Sequence, residues 1–406
     1  MTDSPFIPTG QAKVGREIAI GLSARGHEVG YLGWFHKPEI FPNLPNNIQF
    51  WWTNNSYYGS EVLDSVVNRF VPDVLLTIGD FWNLSYISDP NVCRTRKYFQ
   101  WCSYIPVDGE PSNGGLPPGI IKTVEDIDLP VAYTDYAKEA VLKSVMNQET
   151  RNRIFTIYHG VDTNIFKPLE PAERRKLREQ FQIGDRFLFL TVSRNQSRKN
   201  IPKLFQAWKN FSEMPGMRAN VCLWPHMNFN DPMGWAIDDI LDEQKIKNES
   251  VMYYEQVAHG SHELQLIPEM ELAKLYQVAD AFILLSGEGF GLPTFEAMAC
   301  KLPCILLNHS ASGELGAEGR AHLINEIYNQ TWTGAHLTER PNADTNSVVS
   351  AMVKVYKDKK YRDEIARKGY EFATQYTWDR VVNDWAQFFN SVEIPFLKPI
   401  NLEVVT

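Results

Sequence analysis

The chain has 406 residues, 44% hydrophobic and 22% charged, with a formal net charge of −9 at pH 7. That length holds two domains of ordinary size with a core each, and the mixture is that of a soluble globular protein. The acidic balance excludes sequence-independent binding to nucleic acid, which needs a basic footprint.

Strand-like apolar runs alternate with helix-like segments along the chain, the pattern of parallel α/β sheets. In the first half the expected strands are Glu28–Trp34, Ile48–Thr53, Val74–Ile78, Tyr98–Tyr104, Val131–Tyr133 and Ile154–Tyr158. In the second half they are Phe187–Ser193, Ala219–Leu223, Val251–Tyr254, Ala281–Leu285 and Pro303–Leu307. The fold class is therefore α/β, with two doubly wound Rossmann-like domains that hold ligands at strand C-terminal ends. The turn-rich stretch from His159 to Arg186, with Pro168 and Pro171, separates them. The expected division is 1–165, 166–375 and a tail helix and segment, 376–406, that crosses back to the first domain.

One element is expected to be missing or cut short. A central strand should precede the loop Pro8-Thr9-Gly10-Gln11 and the helix Ala12–Arg25, but only Met1–Phe6 stands there, short and polar.

Strand Phe187–Ser193 runs into Arg194-Asn195-Gln196-Ser197-Arg198-Lys199-Asn200, and then into the helical apolar pattern Ile201, Leu204, Phe205, Trp208. Cations fixed at a strand end suit a diphosphate, which arginine grips with two parallel hydrogen bonds. Arg194 and Lys199 are the candidates, and Arg198 reads as a solvated neighbour. The helical segment Leu272–Asp280 then leads through Ala281–Leu285 into Gly287-Glu288-Gly289-Phe290-Gly291-Leu292-Pro293-Thr294-Phe295-Glu296. Glycines give a tight turn, and Pro293 fits the first turn of a helix. A helix entered from such a loop offers free backbone N–H groups to a phosphate or a sugar hydroxyl. Glu288 falls in the loop and Glu296 about one turn into the helix, so both can face one ligand.

This last segment resembles the donor-site signature of retaining glycosyltransferases of the GT-B fold, family 4 (glycosyl transferase group 1). The resemblance implies two Rossmann-like domains facing each other across a cleft. It gives Glu288 and the backbone of Gly289, Phe290, Gly291 and Leu292 to the donor sugar. Glu296 goes to the nucleotide ribose, and Arg194 and Lys199 to the donor diphosphate. Gly10 lies where the family has two adjacent glycines near the donor phosphates, although here the pair is Thr9-Gly10. Asp108, in Tyr104-Ile105-Pro106-Val107-Asp108-Gly109, is a candidate at the reacting sugar, and His159-Gly160-Val161-Asp162 resembles the family's junction segment.

The expected activity is transfer of a sugar from a nucleotide diphospho-sugar to an acceptor hydroxyl, with retention of configuration. The acceptor would be a carbohydrate or glycoconjugate. No cofactor or metal is expected, because cations and a helix dipole can stabilise the leaving group; Asp126-Ile127-Asp128, in a polar connection, reads as structural, and His259-Gly260-Ser261-His262 as a loop. The alternatives are a nucleotide-sugar 2-epimerase and a catalytically silent sugar-nucleotide-binding subunit. Five cysteines form no C-x-x-C pair and read as core thiols in a reducing compartment, so the expected location is cytoplasmic. No apolar run reaches the length of a membrane span. The first half is net acidic, which gives no support to an anionic bilayer, while a local basic patch leaves room for peripheral membrane contact.

Overall fold

The computed structural model describes residues 1–7, 9–35, 44–53, 58–246, 250–252, 267–325, 327–333 (backbone) and 338–393. The chain divides into two compact units, Met1–Gly160 with the chain from Trp378 onward, and Val161–Thr377.

The first unit alternates strand and helix: β1 Thr2–Asp3, α1 Gly10–Ala24, β2 Val29–Trp34, β3 Ile48–Thr53, α2 Leu63–Phe70, β4 Val74–Ile78, β5 Gln100–Ile105, α3 Pro118–Glu125, β6 Leu129–Ala132, α4 Asp135–Ser144, α5 Gln148–Arg153 and β7 Phe155–Thr156. All pairings are parallel, in the orders β1-β2-β3 and β4-β5-β6-β7. The core is built from Trp34, Phe81, Trp101, Ile105, Val124 and Val141. In β5 every residue after Gln100 is buried, Trp101, Cys102, Tyr104 and Ile105 supplying its apolar side chains.

The first strand, expected to be missing or cut short, is present over two residues. Thr2 pairs with Gly33 and Asp3 with Trp34. Met1 stitches this strand to β4, its nitrogen donating to Leu76 O at 2.7 Å and its carbonyl accepting from Ile78 N at 3.0 Å. Polar side chains escape the sequence pattern here because their hydrogen bonds are internal. The Asp3 carboxylate accepts from Trp34 Nε1 at 2.6 Å and from Thr9 Oγ1, and Thr9 in turn caps α1 by accepting from Ala12 N. Beside this short strand, β2, β4, α1 and α2 line an apolar cavity that includes Ile18, Leu22, Val67, Phe70 and Leu75.

The second unit holds α6 Pro171–Gln180, β8 Phe187–Val192, α7 Ile201–Ser212, β9 Val221–His226, α8 Ile237–Glu243, α9 Glu269–Val278, β10 Ala281–Leu284, α10 Leu292–Ala299, β11 Cys304–Leu307, α11 Ser310–Gly316, β12 His322–Ile324, β13 Ile327–Thr333, β14 Thr338–Ala343, α12 Thr345–Lys357 and α13 Lys359–Ala373. Its parallel sheet runs β12-β11-β10-β8-β9, and β13 and β14 form an antiparallel hairpin. Phe189, Phe205, Trp208, Phe211, Ile283 and Met352 lie in the core. The chain then returns to the first unit as α14 Trp378–Ser391, which carries Val381, Val382, Trp385 and Phe388 inward.

Several expectations shift. The expected strand Val251–Tyr254 leaves a single bridge, Leu223 with Val251, within the described residues; Tyr254 and the His259–His262 segment lie outside them. Strand β12 and the β13–β14 hairpin were not anticipated, because Thr338-Glu339-Arg340-Pro341-Asn342-Ala343 has almost no apolar alternation. Among the described residues no helix is long and apolar enough to cross a membrane.

Candidate functional site

The predicted loop forms at the C-terminal end of β10, whose four residues are all buried. It ends at Gly291, which takes φ +98 and so must lack a Cβ. Helix α10 starts at Leu292 with Pro293 in its first turn and no side-chain cap. Pro293 has no N–H, and Thr294 N and Phe295 N donate to Gly291 O at 2.9 and 3.3 Å, so the Leu292 N–H and the positive end of the helix dipole are what this turn offers a ligand. Thr294, in that first turn, is fully buried, and its Oγ1 has no hydrogen-bond partner among the described residues.

Two loops meet here. Glu288 accepts from Lys199 Nζ and from Ser286 Oγ, and both members of the ion pair are buried, with 7% of the Lys199 side chain and 13% of Glu288 exposed. Burial pushes the Glu288 carboxyl up. The charges of Lys199 and Arg198, with the bonds from Lys199 and Ser286, outweigh it and hold the group below its ordinary value. Glu288 is thus a carboxylate. Its backbone is held as well, since Glu288 N donates to Ser310 Oγ at 2.9 Å and Ser312 Oγ donates to Ser286 O at 2.9 Å. Arg198, expected to be a solvated neighbour, instead donates to Gly287 O at 3.0 Å, because the turn at 197–199 aims it across at the glutamate loop.

Asn200 completes the join. It sits in the left-handed region at φ +53, and its buried amide donates to Leu285 O at 3.0 Å and Pro341 O at 2.6 Å. Asparagine tolerates that backbone better than most residues, and this is the signal by which the sequence could have exposed it.

Glu296 projects from α10 with 5% of its surface exposed, and Oε2 accepts from Tyr276 Oη at 2.9 Å. Tyr276, on α9, is fully buried, and burial together with Glu296 pushes its hydroxyl well up. The segment around Tyr276 reads as core in the sequence, yet a buried tyrosine hydroxyl needs a partner.

Arg194 has an ion pair of its own. Its Nε donates to Asp231 Oδ2 at 2.7 Å, with half of its side chain exposed. Asp231 lies after β9 in Asn228-Phe229-Asn230-Asp231-Pro232, which reads as turn formers.

The remaining candidates are in the first unit. Gly10 opens α1 behind the Thr9 cap. Asp108 follows β5 and is half-buried. His159 is buried against Tyr104, whose hydroxyl bonds both Ile157 O and His159 Nδ1; burial alone pushes its imidazole down to about 3. It is a neutral packing residue. Asp162, in the second unit, closes a turn by accepting from Asn164 N. Asp128 accepts from Arg96 and from Trp101 N, which gives it a structural task.

Residues 173–372 match the family model described as glycosyl transferases group 1. A curated relative, the O-antigen chain mannosyltransferase B of Escherichia coli, is 22% identical over 64% of this chain; the match spans 59% of that relative's own length. The solved structure of sucrose-phosphate synthase from Thermosynechococcus elongatus superposes with a TM-score of 0.71 at 16% identity, over 94% of this chain and 93% of that one. Anabaena HepE, solved in complex with UDP and glucose, gives a TM-score of 0.69 at 16% identity over 95% and 97%. At such identity the likeness establishes the fold, which is GT-B. With the glutamate loop, the cation loop and the uncapped helix inside it, the matched segment 173–372 belongs to the glycosyl transferases group 1 family.

Proposed function

We propose that this protein is a glycosyltransferase that moves a hexose from a nucleotide diphospho-sugar to a hydroxyl of a carbohydrate or glycoconjugate, with retention and without a metal. The observation that carries the reading is the buried Lys199–Glu288 pair set beside the uncapped N-terminus of α10. A lysine, an arginine at the same strand end and the positive end of a helix dipole are what a departing diphosphate needs.

In this scheme Lys199, Arg194 and the N-terminal end of the α10 dipole hold the diphosphate. Glu288 and the Gly289–Leu292 backbone hold the sugar, and Glu296 accepts from the ribose hydroxyls. The bond from the anomeric carbon to the diphosphate oxygen breaks while the bond to the acceptor oxygen forms on the same face. The acceptor proton passes to the departing diphosphate oxygen, so no protein nucleophile takes part. The hexose donor draws support from the mannosyltransferase relative and from the UDP and glucose in HepE. A cytoplasmic location fits the five cysteines, all unpaired and buried.

The test is a thermal-shift screen against UDP-, GDP-, ADP- and dTDP-sugars, where a donor at about 100 times its dissociation constant adds roughly 2.7 kcal/mol. The selected donor is then incubated with enzyme in excess EDTA. Slow release of free sugar and nucleoside diphosphate, unchanged by EDTA, is the expected result. An isomerised sugar would make the protein an epimerase, and donor binding with no turnover a silent subunit. A loss in EDTA restored by magnesium or manganese would overturn the metal-free scheme.

A further inference from the structure

We infer that Asp231 is a positioning residue that fixes the pose of Arg194 toward the diphosphate. The inference rests on the nucleotide-sugar reading above. The Asp231 carboxylate takes Arg194 from the side, with Oδ2 at 2.7 Å from Nε and Oδ1 at 3.5 Å from Nη2. A guanidinium has five N–H donors in a rigid fork. Engaging the Nε side leaves the Nη1 and Nη2 end, the edge that grips a phosphate with two parallel bonds.

Asp231 is itself immobilised. Only 4% of its side chain is exposed, against 51% for Arg194. Its Oδ1 accepts from Met233 N at 3.0 Å and its carbonyl from Gly234 N at 2.9 Å. The same turn is fastened to the residue after Arg194. Asn195 accepts from Trp235 N at 2.9 Å and donates to Trp235 O at 2.8 Å. Gly234 packs so closely that a Cβ there would lie 2.4 Å from the Asn195 side chain. The cation that would meet the ligand is thus braced by an anion that cannot follow it, and holding such a group in place before binding lowers the entropy lost on binding.

The sign of the effect separates this role from plain electrostatics. Coulomb's law says that removing an anion near a diphosphate site tightens phosphate binding. A positioning role says that it loosens. Asp231→Asn is the probe, since an amide that keeps its one oxygen on Met233 N turns an NH2, which cannot accept, toward Arg194 Nε. Asp231→Ser serves as the second variant should the first fold poorly.

Calorimetric titration is run with UDP and GDP, with uridine and guanosine as controls. The expected result is a five- to tenfold loss of diphosphate affinity in Asp231→Asn, no change for the bare nucleoside, and no further loss when the change is made in Arg194→Ala. Tighter diphosphate binding, or an equal loss in the Arg194→Ala background, overturns the inference while leaving the nucleotide site standing. A wild-type protein that binds none of UDP, GDP, ADP and dTDP overturns the nucleotide-sugar reading, and this inference with it.

Discussion

Replacing Glu296 with glutamine isolates one hydrogen bond. The obvious change, to alanine, would leave the fully buried Tyr276 hydroxyl without its acceptor at 2.9 Å. That alone costs about 1–3 kcal/mol, so stability and binding would be mixed. Glutamine keeps the shape and one carbonyl oxygen for Tyr276, and loses the charge. A hydrogen bond to a charged acceptor is worth about 1.5–3 kcal/mol, against about 0.5–1.5 for a neutral one. The difference, about 1–1.5 kcal/mol, is a five- to twelvefold fall in affinity. The assay is calorimetric titration with UDP and GDP and with their 2′,3′-dideoxy forms. The fall should appear with ribose and vanish without its hydroxyls. A mutant that binds the ribose form as tightly as wild type, or that loses equally with both forms, would refute the ribose assignment.

Lys199→Ala removes a cation where negative charge grows as the glycosidic bond breaks, so kcat should fall at least about tenfold, or roughly 1.4 kcal/mol at the transition state. Lys199→Arg should recover only part of it, and a raised donor KM with unchanged kcat would reduce Lys199 to a binding role. The same alanine strands Glu288, so Tm should drop; since the Glu288 carboxyl is held below its ordinary 4.5, the pair's contribution is full above that value and is lost as pH falls past it. The Tm gap between wild type and mutant should therefore shrink in acid, and a gap that is flat with pH would contradict the pairing. His159 is neutral in the fold down to about 3, whereas the unfolded chain takes its proton near 6.5. Stability present above 6.5 should thus be lost as pH falls toward 3, and His159→Phe should flatten that slope in melts between pH 7.5 and 4.5.

Apolar runs made most of the sheets legible. Ile48–Thr53 and Val74–Ile78 form over the expected residues, and Ala281–Leu285 is one residue longer than β10. Burial on both faces writes itself into the run of β10, all four residues of which are buried. Elements with few apolar side chains stayed hidden, β1 because backbone bonds hold its two buried polar residues and the β13–β14 hairpin because its second strand is polar. At the candidate site the sequence exposed the residues at the ends of strands, where glycines and charges break the pattern. It hid their partners. Asp231 and Tyr276 look like a turn former and a core aromatic until the chain folds and they take up Arg194 and Glu296, while Asn200 and Ser310 bind backbone, at Leu285 and Pro341 and at Glu288.

The second unit begins and ends at one place. Val161 N donates to Tyr376 O at 2.9 Å, and Val161 bridges Thr377 in parallel. The residues just outside that bridge, Gly160 and Trp378, pack so tightly that a Cβ on the glycine would lie 2.7 Å from the indole. Once Val161–Thr377 is folded, the chain arrives at α14 already beside β7 and the first unit's core. Were that segment unfolded, docking α14 onto α1 would have to close a loop of roughly 200 residues, an entropic cost on the order of 5 kcal/mol. The exposed contacts of α14, Arg25 to Asp379 at 2.5 Å and to Asn383 at 2.7 Å, are worth far less, so its buried face of Val381, Val382, Trp385 and Phe388 would have to meet that cost. Folding is coupled in one direction as a result: melting the second unit loosens the last helix of the first, whereas melting the first leaves the ends of the second paired.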